Sequence, residues 1–266
     1  MNVHIHPSAV IDPAAHLDPS VEVGPGAVID AGVTLGPGCV VGPHVHLTGR
    51  TTIGPGNRFH AGSVIGDAPQ DTKYRDTPTG LVIGEGNVFR EHVTVHRSNT
   101  PEERTEIGSH CFLMANSHVG HNSRLGDHVI LANGVLLGGH VEVGNAAFLS
   151  GNSVVHQFVR VGALAMLQGA SAVSQDLPPF VMARGRNSSS GLNTVGLRRA
   201  GITAAVRLEL RQLYHVLFLG TAPMQERLAA ARAVAQSAEG RLLVDFVASS
   251  RRGCIRARNR SLEDLE

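Results

Sequence analysis

Fifteen histidines stand in a chain of 266 residues, and seven of them fall between positions 92 and 140. His118 and His121 are three apart in Ser117-His118-Val119-Gly120-His121, His96 precedes a polar stretch, and His140 and His156 follow further along. A lone histidine is more often an ordinary core or surface residue than a reactive one, so the grouping is what matters. A neutral imidazole can take a proton from a hydroxyl near pH 7, which makes this set a candidate for general-base chemistry. Three imidazoles could also hold zinc in an open tetrahedral site. His118 and His121 have tolerable spacing for that, but the sequence fixes no third ligand.

The elements that must position these side chains follow a period of six. Every sixth residue from Ile5 to Val173 gives 29 positions, of which 24 are Ile, Leu or Val and two are Phe. Only Asp71, Thr77 and Pro101 break the series. No helix has this period, and a plain strand alternates every two residues. Gly or Asp often follows the aliphatic position, as in Val23-Gly24 and Leu125-Gly126, and a small or β-branched residue often stands four beyond it. Each hexad reads as a short strand and a bend that must stack on its neighbours to bury its apolar face. A generic Gly/Val-rich sheet would not keep one register over 26 of 29 positions. The pattern resembles the hexapeptide repeat of the left-handed parallel β-helix superfamily. That resemblance implies a three-sided prism of 18 residues per coil, with a crossover hand opposite to the usual rule.

Two polar stretches leave the repeat, near 71–82 and 98–106, and loops that project from a rigid scaffold commonly carry function. The pattern ends after Pro178-Pro179. Residues 183–193, rich in Gly and Ser, read as a linker or loop. Helical spacing then sets in near Thr203, with Val206, Leu210, Leu213 and Leu217 on one face and Met224, Leu228, Ala231 and Ala235 on another. Thr203 and Thr221 are expected N-caps, Pro223 suits a first turn, and residues 242–249 suggest a third helix. The division expected is a β-helix over 1–190 and a small α-helical domain over 191–266, ending in a basic tail at 251–260.

With 18 residues per coil, the position one coil above His121 is Gly139. Adjacent coils stack about 4.8 Å apart, as neighbouring strands do. A histidine beside a glycine leaves room for a ligand and an accessible backbone N–H. A general base is thereby paired with an oxyanion donor, a pairing suited to acyl transfer.

Met114-Ala115-Asn116-Ser117-His118-Val119-Gly120-His121, Leu137-Gly138-Gly139-His140 and Val155-His156-Gln157-Phe158 resemble motifs of the lipid A UDP-N-acetylglucosamine acyltransferases. So do Gln70-Asp71-Thr72-Lys73-Tyr74, Thr94-Val95-His96-Arg97, Gln175-Asp176-Leu177-Pro178-Pro179 and Gly196-Leu197-Arg198-Arg199. These occur in family order over nearly the whole chain. The resemblance implies a homotrimer with active sites between adjacent prisms. It makes His121 the base that deprotonates the 3-hydroxyl of UDP-N-acetylglucosamine for attack on the thioester of a 3-hydroxyacyl chain borne by acyl carrier protein. Gly139 is then the backbone donor to the oxyanion. Gln70, Asp71, Lys73, His96, His118, His140, His156 and Gln157 match substrate-contacting positions, and Asn193 and Arg199 match nucleotide-holding ones. Gly169, beside Met166, matches the ruler of acyl length, where an open glycine suits a longer chain. Arg211 matches a basic position used to dock the acidic carrier. Neither metal nor cofactor is implied, because the thioester is already activated.

Three positions depart from the family pattern: Asn122 where Asp is common after the base, Val195 where Glu is expected, and Ala200 where a second Arg is expected. An Asn cannot stabilise an imidazolium as a carboxylate does, though it can orient the ring. A 3-amino UDP-sugar acceptor stays open. So do another hexapeptide acyltransferase using acyl-CoA, a γ-type carbonic anhydrase, and a purely structural solenoid. The last leaves the His–Gly stacking and the loop motifs without purpose.

Composition narrows the classes further. A formal charge of +1 gives no strong pull toward nucleic acid. Scarce aromatics (4%, no Trp) and 31 glycines suit a cornered solenoid better than a ring-filled globular core. The longest apolar runs are too short to span a bilayer. The N-terminal residues lack the basic start and apolar stretch of a signal peptide. Three cysteines with neither metal nor disulfide spacing fit a reduced cytoplasm.

Overall fold

The computed structural model describes residues 5–257, and the hexads close there into a three-sided prism. Most strands are only two residues long, because a corner interrupts the chain after each. The first residue of a pair such as Glu22–Val23 points out and the second points in, as the pleat requires. Pairing along the prism is parallel and offset by 18 residues where no insertion intervenes, as Val10 faces Val28 and His118 faces Leu136, until the last coil shortens and Met166 faces Met182. Among the described residues the first face carries nine strands, the second eight and the third eleven. The six-residue series from Val23 to Val173 fills the interior, nearly every member being fully buried. Ile5 at the open end remains 39% exposed.

Both insertions leave the same edge, the one between the first and second faces. Residues 68–79 connect Val64–Asp67 to Gly80–Ile83, and residues 97–103 connect Thr94–His96 to Arg104–Ile107. The first begins and ends three residues earlier than the sequence suggests and the second is shorter, because Gly80–Ile83 and Arg104–Ile107 already pair with each other in register. The polar residues that disguised these strands are either outward-facing or, like Thr105, buried with a hydrogen-bond partner.

The stretch 183–193 is not a linker. Val181–Arg184 and Ser188–Leu192 form an antiparallel hairpin that caps the third face. Ser189 is buried there against the Tyr214 hydroxyl at 2.6 Å, so a serine-rich segment finds its partners inside the protein. Four helices follow: α1 (Thr194–Arg199), α2 (Ala204–Tyr214), α3 (Met224–Val234) and α4 (Ala238–Ala248), with a wider turn at His215–Leu219. Thr203 caps α2 through the Val206 N–H. Among the described residues Thr221 caps nothing. Pro223 is the residue before α3 rather than part of its first turn, and α4 starts at Ala238, earlier than expected, under a Ser237 cap. Phe180, Leu197, Leu210, Leu213, Leu217 and Leu243 form a second apolar core where helices meet prism. Arg258 and Arg260 of the basic tail lie outside the described residues. Among those described, no helix is long and apolar enough to cross a membrane.

One ion pair fastens the helices to the second face. Asp176 is 1% exposed, and its carboxylate accepts from the Arg160 backbone N–H, the Arg160 guanidinium and the Ser250 hydroxyl. The same guanidinium lies 4.4 Å from the Phe246 ring centroid on α4. Removing one member of a buried pair strands the other charge, so Asp176→Ala is expected to cost about 3–5 kcal/mol of stability. Thermal unfolding beside wild type checks this, and an unchanged midpoint contradicts it.

Candidate active site

His121 and Asn122 form the corner that links His118–Val119 on the first face to Arg124–Leu125 on the second. Gly139 and His140 form the same corner one coil on, and Gln157 and Phe158 the next. The second residue of each corner adopts the left-handed conformation, with φ of 59° at Asn122, 58° at His140 and 64° at Phe158. Gly139 does not; its φ is ordinary, so the backbone does not require glycine there. Space does. A Cβ at residue 139 would lie 2.6 Å from His121 Nε2. The next residue keeps the coils in step, His140 N–H donating to the His121 carbonyl at 2.8 Å. The Gly139 N–H itself has no acceptor among the described residues.

Hydrogen bonding fixes which nitrogen of His121 carries the hydrogen. Asn122 Oδ1 accepts from the Asn99 backbone N–H at 2.9 Å, and its Nδ2 donates to Glu103 Oε2. That pair of partners dictates the orientation of the amide. His121 Nδ1 lies 2.8 Å from the same Oδ1, which can only accept, so Nδ1 carries the hydrogen. Nε2, facing Gly139, is left with its lone pair. Asn122 is 6% exposed and is held further by its backbone N–H to Thr105 Oγ1 at 2.8 Å.

The loops deliver polar side chains to this edge. Asp71 accepts from the Lys73 N–H at 2.9 Å and from the Asn99 side chain at 2.8 Å. The Lys73 N–H, the Asn99 amide and the nearby cationic groups hold its carboxyl below the usual carboxylate range. Gln70 and Lys73 are exposed on the same loop. His118 lies against Thr94 Oγ1 at 2.8 Å and meets the His96 ring edge-on at 5.0 Å. Burial, reinforced by His96 and His121, pushes the His118 imidazole down to about 4. Burial also lowers His96, whose Nδ1 has no partner among the described residues. His140 is lowered chiefly by burial and then by His121, with Glu103 opposing. It stacks on Phe158 at 4.5 Å. His156 and Gln157 sit exposed on the following coil.

The remaining sequence candidates lie elsewhere in the protomer. Asn193 caps α1 through Gly196 and donates to the Leu164 carbonyl at 2.9 Å, at the edge between the second and third faces. Arg199 is exposed at the end of α1, and Arg211 is exposed in the last turn of α2. Gly169 and Met166 belong to the edge between the third and first faces, where a Cβ at residue 169 would approach the Gly151 carbonyl to 3.3 Å. The protomer therefore gathers Asp71, Lys73, His96, His118, His121, Gly139, His140, His156 and Gln157 on one edge, and places the nucleotide and acyl-length candidates on the other two. Sequence reading missed Asn99, Glu103 and Thr105. Counting coils through the second loop was the signal that could have placed them beneath Asn122. Among the described residues no three His, Cys, Asp or Glu side chains group as a metal site.

Residues 176–255 match the family described as UDP N-acetylglucosamine O-acyltransferase, domain 2, and residues 32–67 and 104–139 match the bacterial transferase hexapeptide repeat. The chain is 40% identical over 255 residues to the acyl-[acyl-carrier-protein]–UDP-N-acetylglucosamine O-acyltransferase of Halorhodospira halophila, covering 95% of this chain and 99% of that one. It superposes on LpxA from Acinetobacter baumannii with a TM-score of 0.92 at 36% identity, covering 95% of this chain and 100% of the other. On the Francisella novicida UDP-N-acetylglucosamine acyltransferase the TM-score is 0.93 at 34% identity, covering 96% and 95%. The prism is the left-handed parallel β-helix of these structures.

Two outcomes follow from this geometry. Gly139→Ala should lower turnover about 10²–10³-fold with the fold intact, because the methyl group occupies the gap in front of Nε2; steady-state kinetics with circular dichroism check this, and near-normal turnover contradicts it. His118 is neutral in the folded state and protonates more readily when unfolded. Its contribution is complete above the ordinary histidine range and is lost as pH falls from about 6.5 toward 4, by at most about 3 kcal/mol per protomer. His118→Asn should flatten the fall of the melting temperature across that window, and an unaltered slope contradicts the assignment.

Proposed function

The chain belongs to the UDP-N-acetylglucosamine O-acyltransferase family, and on that premise we propose how its one crowded edge performs acyl transfer. The substrates are UDP-N-acetylglucosamine and acyl carrier protein bearing a 3-hydroxyacyl chain, and the reaction is the first step of lipid A biosynthesis. The observation that carries the mechanism is His121 Nε2 bare and facing Gly139 across one rung. Nε2 takes the proton of the 3-hydroxyl as its oxygen attacks the thioester carbonyl. The carbonyl oxygen gains the charge and is met by the Gly139 N–H, a fixed donor that needs no reorganisation. Collapse breaks the carbon–sulfur bond, and the leaving thiolate takes the proton back from the imidazolium. Asp71, His118, His140 and Gln157 border the gap and orient the sugar, while Lys73 adds positive charge near its phosphates.

Asn193 and Arg199 lie on a different edge of the same prism from His121, which supports a homotrimer in which one copy supplies the base and its neighbour holds the nucleotide. Gly169 and Met166 then line the intersubunit groove for the acyl chain, the glycine leaving it open for a longer one, and exposed Arg211 meets the acidic carrier. The setting proposed is the cytoplasm, where acyl carrier protein is available.

His121→Ala is expected to lower turnover about 10²–10⁴-fold with the oligomer intact, read by mass spectrometry of the acylated UDP-sugar and by light scattering. Coexpressed His121→Ala and Arg199→Ala chains should regain about a quarter of wild-type turnover through mixed interfaces. No recovery in verified mixed oligomers contradicts the shared site.

A further inference from the structure

The family pattern has a carboxylate directly after the base, and this chain has Asn122. The structure shows where the charge has gone. Asn122 Oδ1 receives the His121 Nδ1 hydrogen at 2.8 Å, and Asn122 Nδ2 donates to Glu103 Oε2 at 2.5 Å. Glu103 closes the second loop, which crosses the edge one coil before His121. We infer that Glu103 is the positioning carboxylate for His121 and acts on it through the Asn122 amide, an inference that rests on the acyl-transfer reading above.

The amide conducts this effect because its two ends are coupled by resonance. A carboxylate that accepts from the NH₂ pulls the amide toward its charge-separated form and enriches the oxygen, which then holds the Nδ1 hydrogen more firmly. When Nε2 takes the sugar proton, the positive charge of the imidazolium spreads to Nδ1. The relay meets it with a polarised oxygen and, one residue further out, a full negative charge.

Other charged groups do not claim this carboxylate. His140 Nδ1 is 3.8 Å from Glu103 Oε2, beyond hydrogen-bond distance, and burial lowers the His140 imidazole. Arg124, Arg251 and Arg252 line the same cleft, yet among the described residues none of them forms an ion pair with Glu103. On the other side of Asn122, the Asn99 N–H fixes the amide plane, and Thr105 Oγ1 holds the Asn122 backbone by accepting from its N–H. The arrangement also explains why Asn stands at 122. An Asp there would set two carboxylates against each other at hydrogen-bond distance.

That conflict supplies the test. Turnover and both Michaelis constants are measured for wild type, Glu103→Gln, Glu103→Ala, Asn122→Asp, and Glu103→Ala combined with Asn122→Asp, with oligomer and melting temperature recorded for each. Glu103→Gln keeps the size of the side chain and is expected to lower kcat about tenfold with KM for the UDP-sugar unchanged, and Glu103→Ala at least as much. Asn122→Asp alone should also be slow. The double variant, which returns a carboxylate to the imidazole and removes the opposing one, should recover most of the lost kcat. A loop-shaping role for Glu103 predicts the reverse: the double variant no faster than Glu103→Ala. That result, or Glu103→Gln turning over at the wild-type rate, overturns the inference. The same variants are read without turnover by mass-mapped carbethoxylation of His121, which Glu103→Gln should slow severalfold. A wild-type enzyme that forms no acylated UDP-sugar overturns the acyl-transfer reading alone, and unchanged His121 labelling then overturns the relay as well.

Discussion

An eighteen-residue coil stacked at β-strand spacing decides what meets what in this protein. Residues 121 and 139 touch because they are one coil apart, and no local feature of either segment would bring them together. The constraint is rigid. Ladder hydrogen bonds on three faces and a continuous aliphatic interior hold each rung to the next, so a corner side chain has little freedom to drift. Because both insertions leave the edge between the first and second faces, Asp71, Asn99 and Glu103 come to the same rungs as His121 and Asn122. The scaffold pre-positions these side chains within the protomer.

Within that frame, one amide organises the charges. Asn122 has an acceptor end that two N–H groups share and a donor end taken by a carboxylate. No other orientation satisfies all three neighbours, and the tautomer of His121 follows from it. The neighbouring imidazoles are pushed toward neutrality by burial, so the edge is crowded with histidines without being crowded with positive charge. A basic nitrogen can persist there beside three others.

How much of this was legible in the sequence varied with the range of the interaction. The hexad series made the prism readable because its period is imposed on every rung, and the coil length then placed Gly139 over His121. Thr203 as a cap was readable for a similar reason, being decided within four residues. The hairpin at 181–192 was not, since its serines find partners such as Tyr214 far along the chain. Short α1 carries too few apolar positions to show a period. Pro223 was misplaced by one residue because a proline serves equally before a helix and inside its first turn. For the Glu103–Asn122 contact the coil count brings residue 103 beneath the corner, but the loop conformation decides that its side chain meets the amide. The same count separates Gly169 from the edge of His121, whereas Asn193 and Arg199 lie beyond the repeat and had no such signal.

The central claim is that His121 presents a bare Nε2 to the Gly139 amide while its other nitrogen is held by Asn122. Neutron diffraction from deuterium-exchanged crystals near pH 7.5 reads this directly. The account predicts nuclear density for a deuteron on Nδ1 along the line to Asn122 Oδ1, and none on Nε2. A deuteron on Nε2 with Nδ1 bare would contradict it, since the imidazole would then have no lone pair with which to accept the sugar's proton.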